Sequence, residues 1–258
     1  MVITNLHRKR RVVLIGGEKG GTGKSTIATN LAIMSQLDGY EVLLIDTDKQ
    51  SSSYKSLNRR RDKNIVPVPL STQLTGKYIH EEIKQFAEKY EVIVIDAGGR
   101  DSVELRSAMS CSSVEVMISP VKPSEFDLDT LETMDELVYL SKAYNPNLEA
   151  SILFNQTPTH SKITVTHEAR EYCKDFENIN ICDLEISNRV SFQYAASNAQ
   201  CVVEFELEQI KSMPPYQAKR YKPKASLEIC CLYEKVFGYE FKNDVLAEYK
   251  NLLREAVA

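Results

Sequence analysis

The densest chemistry in the sequence is the run GEKGGTGKST, residues 17 to 26, entered from the apolar stretch RVVLIG and followed by residues of helical period. A strand that passes through a glycine-rich turn into a helix gathers backbone N–H groups and a helix N-terminus around one point, the arrangement a polyphosphate needs. Gly20, Gly21 and Gly23 let the backbone approach such a ligand closely. Thr22 and Thr26 complete the loop, Lys24 is spaced to reach the β- and γ-phosphates, and the Ser25 hydroxyl is placed to ligate Mg²⁺. The predicted ligands are therefore ATP and Mg²⁺. The usual GxxxxGK[ST] pattern fails at its first position, which is Glu18, so the loop is a variant form.

Three aspartates and an asparagine end other apolar runs. Asp46 and Asp48 lie in LLIDTDKQ, Asp96 closes YEVIVIDAGGR, and Asn155 ends ILFNQT. Strand ends of this kind line the carboxyl edge of an open α/β sheet, where ligands bind. Helix N-capping is the alternative for Asp46 and Asp48, and the sequence leaves it open. The Asn155 amide offers both a donor and an acceptor to a base edge.

The loop matches KGGxGK[ST] with an additional lysine, Lys19, at its head, and here the chain resembles the ParA/MinD family of deviant-Walker ATPases. In that family the extra lysine crosses the interface of an ATP-sandwiched homodimer and reaches the phosphates bound by the partner subunit. The resemblance thus implies a catalytic set of Lys19, Lys24 and Asp48, with Asp48 orienting the attacking water. It implies that Asp46 and Asp96 join Ser25 in holding Mg²⁺, and that Asn155 contacts adenine. For Lys19 the plain alternative is a solvated loop lysine. The stretches VMISPVKPSEFDLDTL and ISNRVSFQYAASNAQCVVEF continue the likeness, which covers about residues 10 to 205. The chain departs from the family at Lys49, where relatives have proline, and at Gly98 and Gly99, where they commonly have two prolines.

The elements that must position these residues follow from hydrophobic period. Short Val- and Ile-rich runs alternate with helical segments, predicting an α/β fold with a mostly parallel sheet covered by helices on both faces. Strands are expected at about 11–16, 41–46, 91–96, 114–119, 149–154 and 179–186, and helices at about 24–38, 78–90, 101–111, 127–143 and 162–176. The acidic start and the prolines of residues 204 to 224 predict a long mobile basic loop, followed by C-terminal helices over 225–258. At 258 residues, one P-loop domain is expected. The six scattered cysteines and four His residues show no metal-ligand spacing, which predicts reduced thiols. No apolar run is long enough for a signal-peptide core or a transmembrane helix.

With 32 Lys and Arg against 36 Asp and Glu, the net charge of −4 supplies no global attraction to DNA or anionic lipid, so such binding needs a local patch. Residues 211 to 224 provide one without acidic residues: Lys211, Lys219, Arg220, Lys222 and Lys224, interleaved with Tyr216 and Tyr221. Arg189 and the run Arg59, Arg60, Arg61 are secondary candidates, and solvated surface is the bland alternative for all of them. Contacts of this kind neutralise phosphates without reading sequence. The tail, EFKNDVLAEYKNLLREAVA, has mixed charge and lacks the basic amphipathic character of a lipid-docking helix, so no membrane role is expected. The resulting expectation is a cytoplasmic, nucleoid-associated ParA-like ATPase serving plasmid or chromosome partition with a ParB-like centromere-binding or adaptor protein. The alternatives are a MinD-like positioning ATPase, a metabolic ATP-dependent ligase of P-loop architecture, and, more remotely, a nitrogenase-reductase-like electron carrier.

Overall fold

Side chains that alternate along a strand must be buried on both sides if helices cover both faces, and this chain obeys that rule. The computed structural model describes residues 11–99, 102–160, 164–218 and 220–242. Its strands are β1 (Arg11–Ile15), β2 (Val42–Asp46), β3 (Leu70–Gln73), β4 (Val92–Asp96), β5 (Val116–Val121), β6 (Glu149–Thr157) and β7 (Asn180–Ser187). They form one parallel sheet in the order β3-β2-β4-β1-β5-β6-β7.

The longer helices are α1 (Lys24–Leu37), α2 (Ser52–Asp62), α3 (Ile79–Ala87), α4 (Val103–Met109), α6 (Leu131–Lys142), α7 (Val165–Tyr172), α8 (Val190–Asn198), α9 (Val202–Ser212) and α11 (Lys224–Phe237). The short helices α5 (Glu125–Leu128) and α10 (Pro215–Ala218) complete the set. Val13 and Ile15 of β1 pack into a core shared with α1, α9 and α11, whereas Val12 and Leu14 enter a second core built with α3, α4 and α6. The chain leaves β1 first toward β2, on one side, and later enters β5, on the other, so β1 lies at the point where strand order reverses. A crevice at the carboxyl ends of the strands is expected there.

Six strands fall within about three residues of the sequence expectation. β3 and α2 were not expected. The edge strand LSTQ is short and polar, and α2 (SSYKSLNRRRD) buries only Ser53, Leu57 and Arg60, so neither carries a readable hydrophobic period. The stretch from 204 is also corrected: residues 202 to 212 are helix α9, not a loop. Its Val202, Val203, Phe205, Leu207 and Ile210 are buried, and Glu204 turns back to accept the Cys201 N–H at 2.9 Å, closing the helix N-terminus. Beyond it, α11 is a single described helix; Lys219 and residues 243–258 lie outside the described residues.

The run Arg59–Arg61 is likewise not one basic surface, because Arg60 is fully buried. Its guanidinium donates to both Glu204 oxygens at 2.8 and 2.6 Å and to the Ala199 carbonyl at 3.0 Å, while Nε donates to the Pro67 carbonyl at 2.8 Å. Arg60→Ala strands a carboxylate and two carbonyls, and is expected to cost about 3–5 kcal/mol of folding stability. Equilibrium denaturation checks this; a loss below about 1 kcal/mol would mean that the pair behaves as a surface ion pair.

Candidate nucleotide and metal site

The glycine-rich loop joins β1 to α1 at the reversal of strand order. Helix α1 begins at Lys24 with no side-chain cap and no acidic residue in its first turn, which leaves its leading N–H groups and positive dipole end to an anion. Gly23 has φ 94°, and a Cβ there would stand 2.3 Å from Asn155 Nδ2, so the turn requires glycine on both counts. The loop is braced from β6: Asn155 Nδ2 donates to the Thr22 carbonyl at 2.6 Å and Gln156 Nε2 to the Gly21 carbonyl at 3.0 Å. Successive strand residues ordinarily face opposite sides. Here Gln156 takes φ 56° and the β6–β7 register shifts between Asn155 and Thr157, so both amides reach adjoining carbonyls. Gln156 was missed by sequence reading; the paired amides at a strand end were its only signal. Lys24 Nζ donates to the Lys19 carbonyl at 2.6 Å. Burial pushes the Lys24 ammonium below its ordinary range, opposed by the charges of Asp96 and Asp48.

Parallel register brings the carboxylates together. Asp46 pairs with Asp96 across β2 and β4, and each is 1% exposed. Asp46 accepts from the Asp48 N–H (3.0 Å), the Ser53 hydroxyl (2.8 Å) and the Tyr54 N–H (2.9 Å). Asp46 is not itself the N-cap, which is Ser51; it accepts from the first turn of α2 from the end of β2. Asp48 accepts the Gln50 N–H at 2.9 Å and faces the cleft. Asp96 is different: its Oδ2 is buried without a hydrogen-bond partner. Burial, followed by the neighbouring Asp46 charge, pushes the Asp96 carboxyl up to about 7, with the Ser25 and Ser53 hydroxyls and Lys24 pulling the other way. An orphaned carboxylate oxygen beside a serine hydroxyl fits a hard divalent cation. Ser25, Asp46 and Asp96 are the residues that would hold Mg²⁺, whose bound charge would neutralise phosphate oxygens.

Two clefts meet at Gly23, Thr26 and Gln156. The larger, about 1250 Å³, is lined by Lys19, Lys24, Ser25, Asp48, Lys49 and Gly99 among others, and suits a polyphosphate. The smaller, about 260 Å³, is walled by Asn155, Ser187, Arg189 and Phe192, and suits a nucleoside. Arg189 belongs to this wall. Its Nη2 and Nε donate to Glu228 at 2.6 and 2.9 Å, and Nη2 also to Ser187 Oγ at 3.2 Å. Arg189, a DNA candidate from the sequence, thus has its guanidinium engaged by Glu228 within the protein. Of those, Lys211, Arg220, Lys222 and Lys224 are exposed on α9 and around the start of α11.

A phosphate-shaped loop leading from the central strand of a parallel sheet into a helix, with carboxylates at the neighbouring strand ends, defines a P-loop nucleotide-binding protein. Residues 13–202 match the CobQ/CobB/MinD/ParA nucleotide binding domain, and the chain belongs to that family. It is thus a ParA/MinD-type nucleotide-binding protein. It is 20% identical over 236 residues to the chromosome partitioning protein ParA of Myxococcus xanthus, covering 77% of this chain and 82% of that protein. An ATP complex of a McdA variant from Cyanothece superimposes with a TM-score of 0.63 at 13% identity, over 90% of this chain and 98% of that one. The Mg-ADP complex of the septum site-determining protein MinD from Pyrococcus horikoshii gives 0.59 at 18% identity, over 88% and 96%. No described helix is long and apolar enough to cross a membrane.

The raised Asp96 value fixes a sign for pH dependence. Between its ordinary 3.8 and about 7 the folded state holds a proton that the unfolded state has lost, so stability falls as pH rises through that window and levels off above it. In protein free of nucleotide and metal, Asp96→Asn removes this loss. The melting temperature of the variant relative to wild type should rise between pH 5 and pH 8, while Mg²⁺-dependent hydrolysis is lost. An equal gap at both pH values would show that the carboxyl titrates normally.

Proposed function

We propose that the chain is a ParA-like ATPase that dimerises around ATP, coats DNA without sequence preference, and leaves it when a partner protein stimulates hydrolysis. Plasmid or chromosome partition is the setting, and a ParB-like centromere-binding or adaptor protein is the partner. The observation that carries the reading is Lys19. Lys19 lines the phosphate cleft and its carbonyl accepts the Lys24 ammonium, so the loop brings two lysines to one site. Lys24 serves the bound triphosphate in cis and Lys19 the triphosphate of the second subunit in trans. Asp48 positions the water, and Ser25, Asp46 and Asp96 hold Mg²⁺. The rest of the nucleotide site is Gly20, Gly21, Thr22, Gly23 and Thr26 around the phosphates and Asn155 at the base.

DNA binding falls to Lys211, Arg220, Lys222 and Lys224, with Lys219 outside the described residues. An ordered scaffold favours them over a loose loop. Glu206 of α9, 2% exposed, accepts from the Ser226 N–H and hydroxyl at 2.9 and 2.7 Å and from the Tyr221 hydroxyl at 3.3 Å, fixing the segment between α9 and α11. Dimerisation would double the patch, and binding would depend steeply on salt.

A MinD-like role is the second reading, favoured by the structural likeness to MinD. Sizing with ADP, ATP and a non-hydrolysable analogue should show a dimer only with the triphosphates, and a monomer throughout for Lys19→Ala. DNA retention should follow the same nucleotides, and replacing both Lys222 and Lys224 by Ala should lower the slope of log affinity against log salt by about 2 per protomer. Equal retention with ADP and ATP excludes the DNA-riding model; dimers unaffected by Lys19→Ala exclude the trans lysine.

A further inference from the structure

The turn after β4 touches both halves of the phosphate cleft. Gly98 and Gly99 line that cleft, and neither has a left-handed φ, so backbone conformation does not demand glycine at either position. Contact does. A Cβ on Gly99 would stand 2.9 Å from the Lys19 carbonyl carbon, the Lys19 oxygen and the Gly20 nitrogen, distances at which backbone must move. That same Lys19 oxygen accepts the Lys24 ammonium at 2.6 Å. A Cβ on Gly98 would stand 3.2 Å from Asp48 Cγ and Oδ2, so the carboxylate would have to give by a few tenths of an ångström. The two glycines therefore abut different partners: one the peptide that bears Lys19 and receives Lys24, the other the carboxylate above the cleft.

We propose that Gly98 and Gly99 are positioning residues with separate duties: the bare Cα of Gly99 sets the Lys19–Gly20 peptide for nucleotide binding, and that of Gly98 sets the Asp48 carboxylate for hydrolysis. This rests on the reading of the cleft as an ATP site with Asp48 at the attacking water. The physical basis is contact tolerance. The Lys19–Gly20 peptide is held by Lys24 Nζ and, more loosely, by Thr22 Oγ1 at 3.5 Å, so a methyl group at 99 is relieved by displacing the loop itself. Asp48 is a side chain at the mouth of the cleft, so a methyl group at 98 is relieved by rotating the carboxylate. A misplacement of about 1 Å at a reacting centre can cost about a hundredfold in rate, and a smaller shift costs proportionately less; at a binding loop the cost falls on affinity. The diglycine thus takes a stiff turn's place with a flush one, letting the loop after β4 lie directly on the phosphate loop.

The test is a split between binding and turnover in the full chain, using a fluorescent ADP analogue for affinity and phosphate release for kcat. Gly98→Ala should lower kcat about tenfold or more while ADP affinity stays within about twofold. Gly99→Ala should weaken ADP affinity about tenfold or more, with the smaller effect on kcat at saturation. Melting temperatures with and without nucleotide accompany both variants. If Gly99→Ala does not fold, the Gly98→Ala split alone decides. Wild-type constants in both variants, or parallel losses of affinity and kcat in both, overturn the assignment. A wild type that hydrolyses ATP yet neither dimerises nor retains DNA would instead sink the partition reading and leave the glycine roles standing.

Discussion

Two carboxylates cannot sit side by side in a protein interior without something to answer their charge. Register between β2 and β4 sets Asp46 and Asp96 next to one another, nearly excluded from water, and the neighbourhood divides the task between them. Asp46 is satisfied by the backbone and hydroxyl at the start of α2. Asp96 keeps an oxygen with no partner and holds its proton up to about pH 7. One carboxylate is thus structural and settled, the other poised. The uncapped start of α1 and the ammonium of Lys24 supply positive charge to the same site, and a metal-bound polyphosphate would satisfy both signs at once.

The central machinery was legible because it sits where strong local signals coincide: a glycine-rich turn between an apolar strand and a helix, and aspartates closing Val- and Ile-rich runs. What escaped reading lies where burial is not hydrophobic. Helix α2 hides its purpose because one of the few residues it buries completely is Arg60, a cation that surface rules assign to solvent. Helix α9 was mistaken for a loop because Glu204 and Glu206 look like solvated acids, whereas they are the partners of Arg60 and of Ser191, Ser226 and Tyr221. Gln156 depends on a left-handed backbone angle that no spacing announces. Long-range polar pairing leaves no period in a sequence, and these are its cases.

Those same polar pairs link the site to the rest of the molecule. The first turn of α2 is tied to Asp46 and its last to Glu204 at the head of α9, so one helix spans from the carboxylate at the end of β2 to the element that carries Lys211. Asn30 of α1 adds a second tie, its side-chain oxygen accepting the Val202 N–H at 2.7 Å. Helix α9 is therefore fastened at its N-terminus to both α1 and α2.

Glu228 gives the fold a different kind of consequence. It lies in α11, past the end of the segment that matches the family, yet its carboxylate clasps Ser187 and Arg189 in the nucleoside wall. Residues beyond the matched segment thus hold part of the wall of the smaller cleft in place. A change at position 228, although it lies outside the matched segment, is therefore felt at the end of β7 beside the smaller cleft.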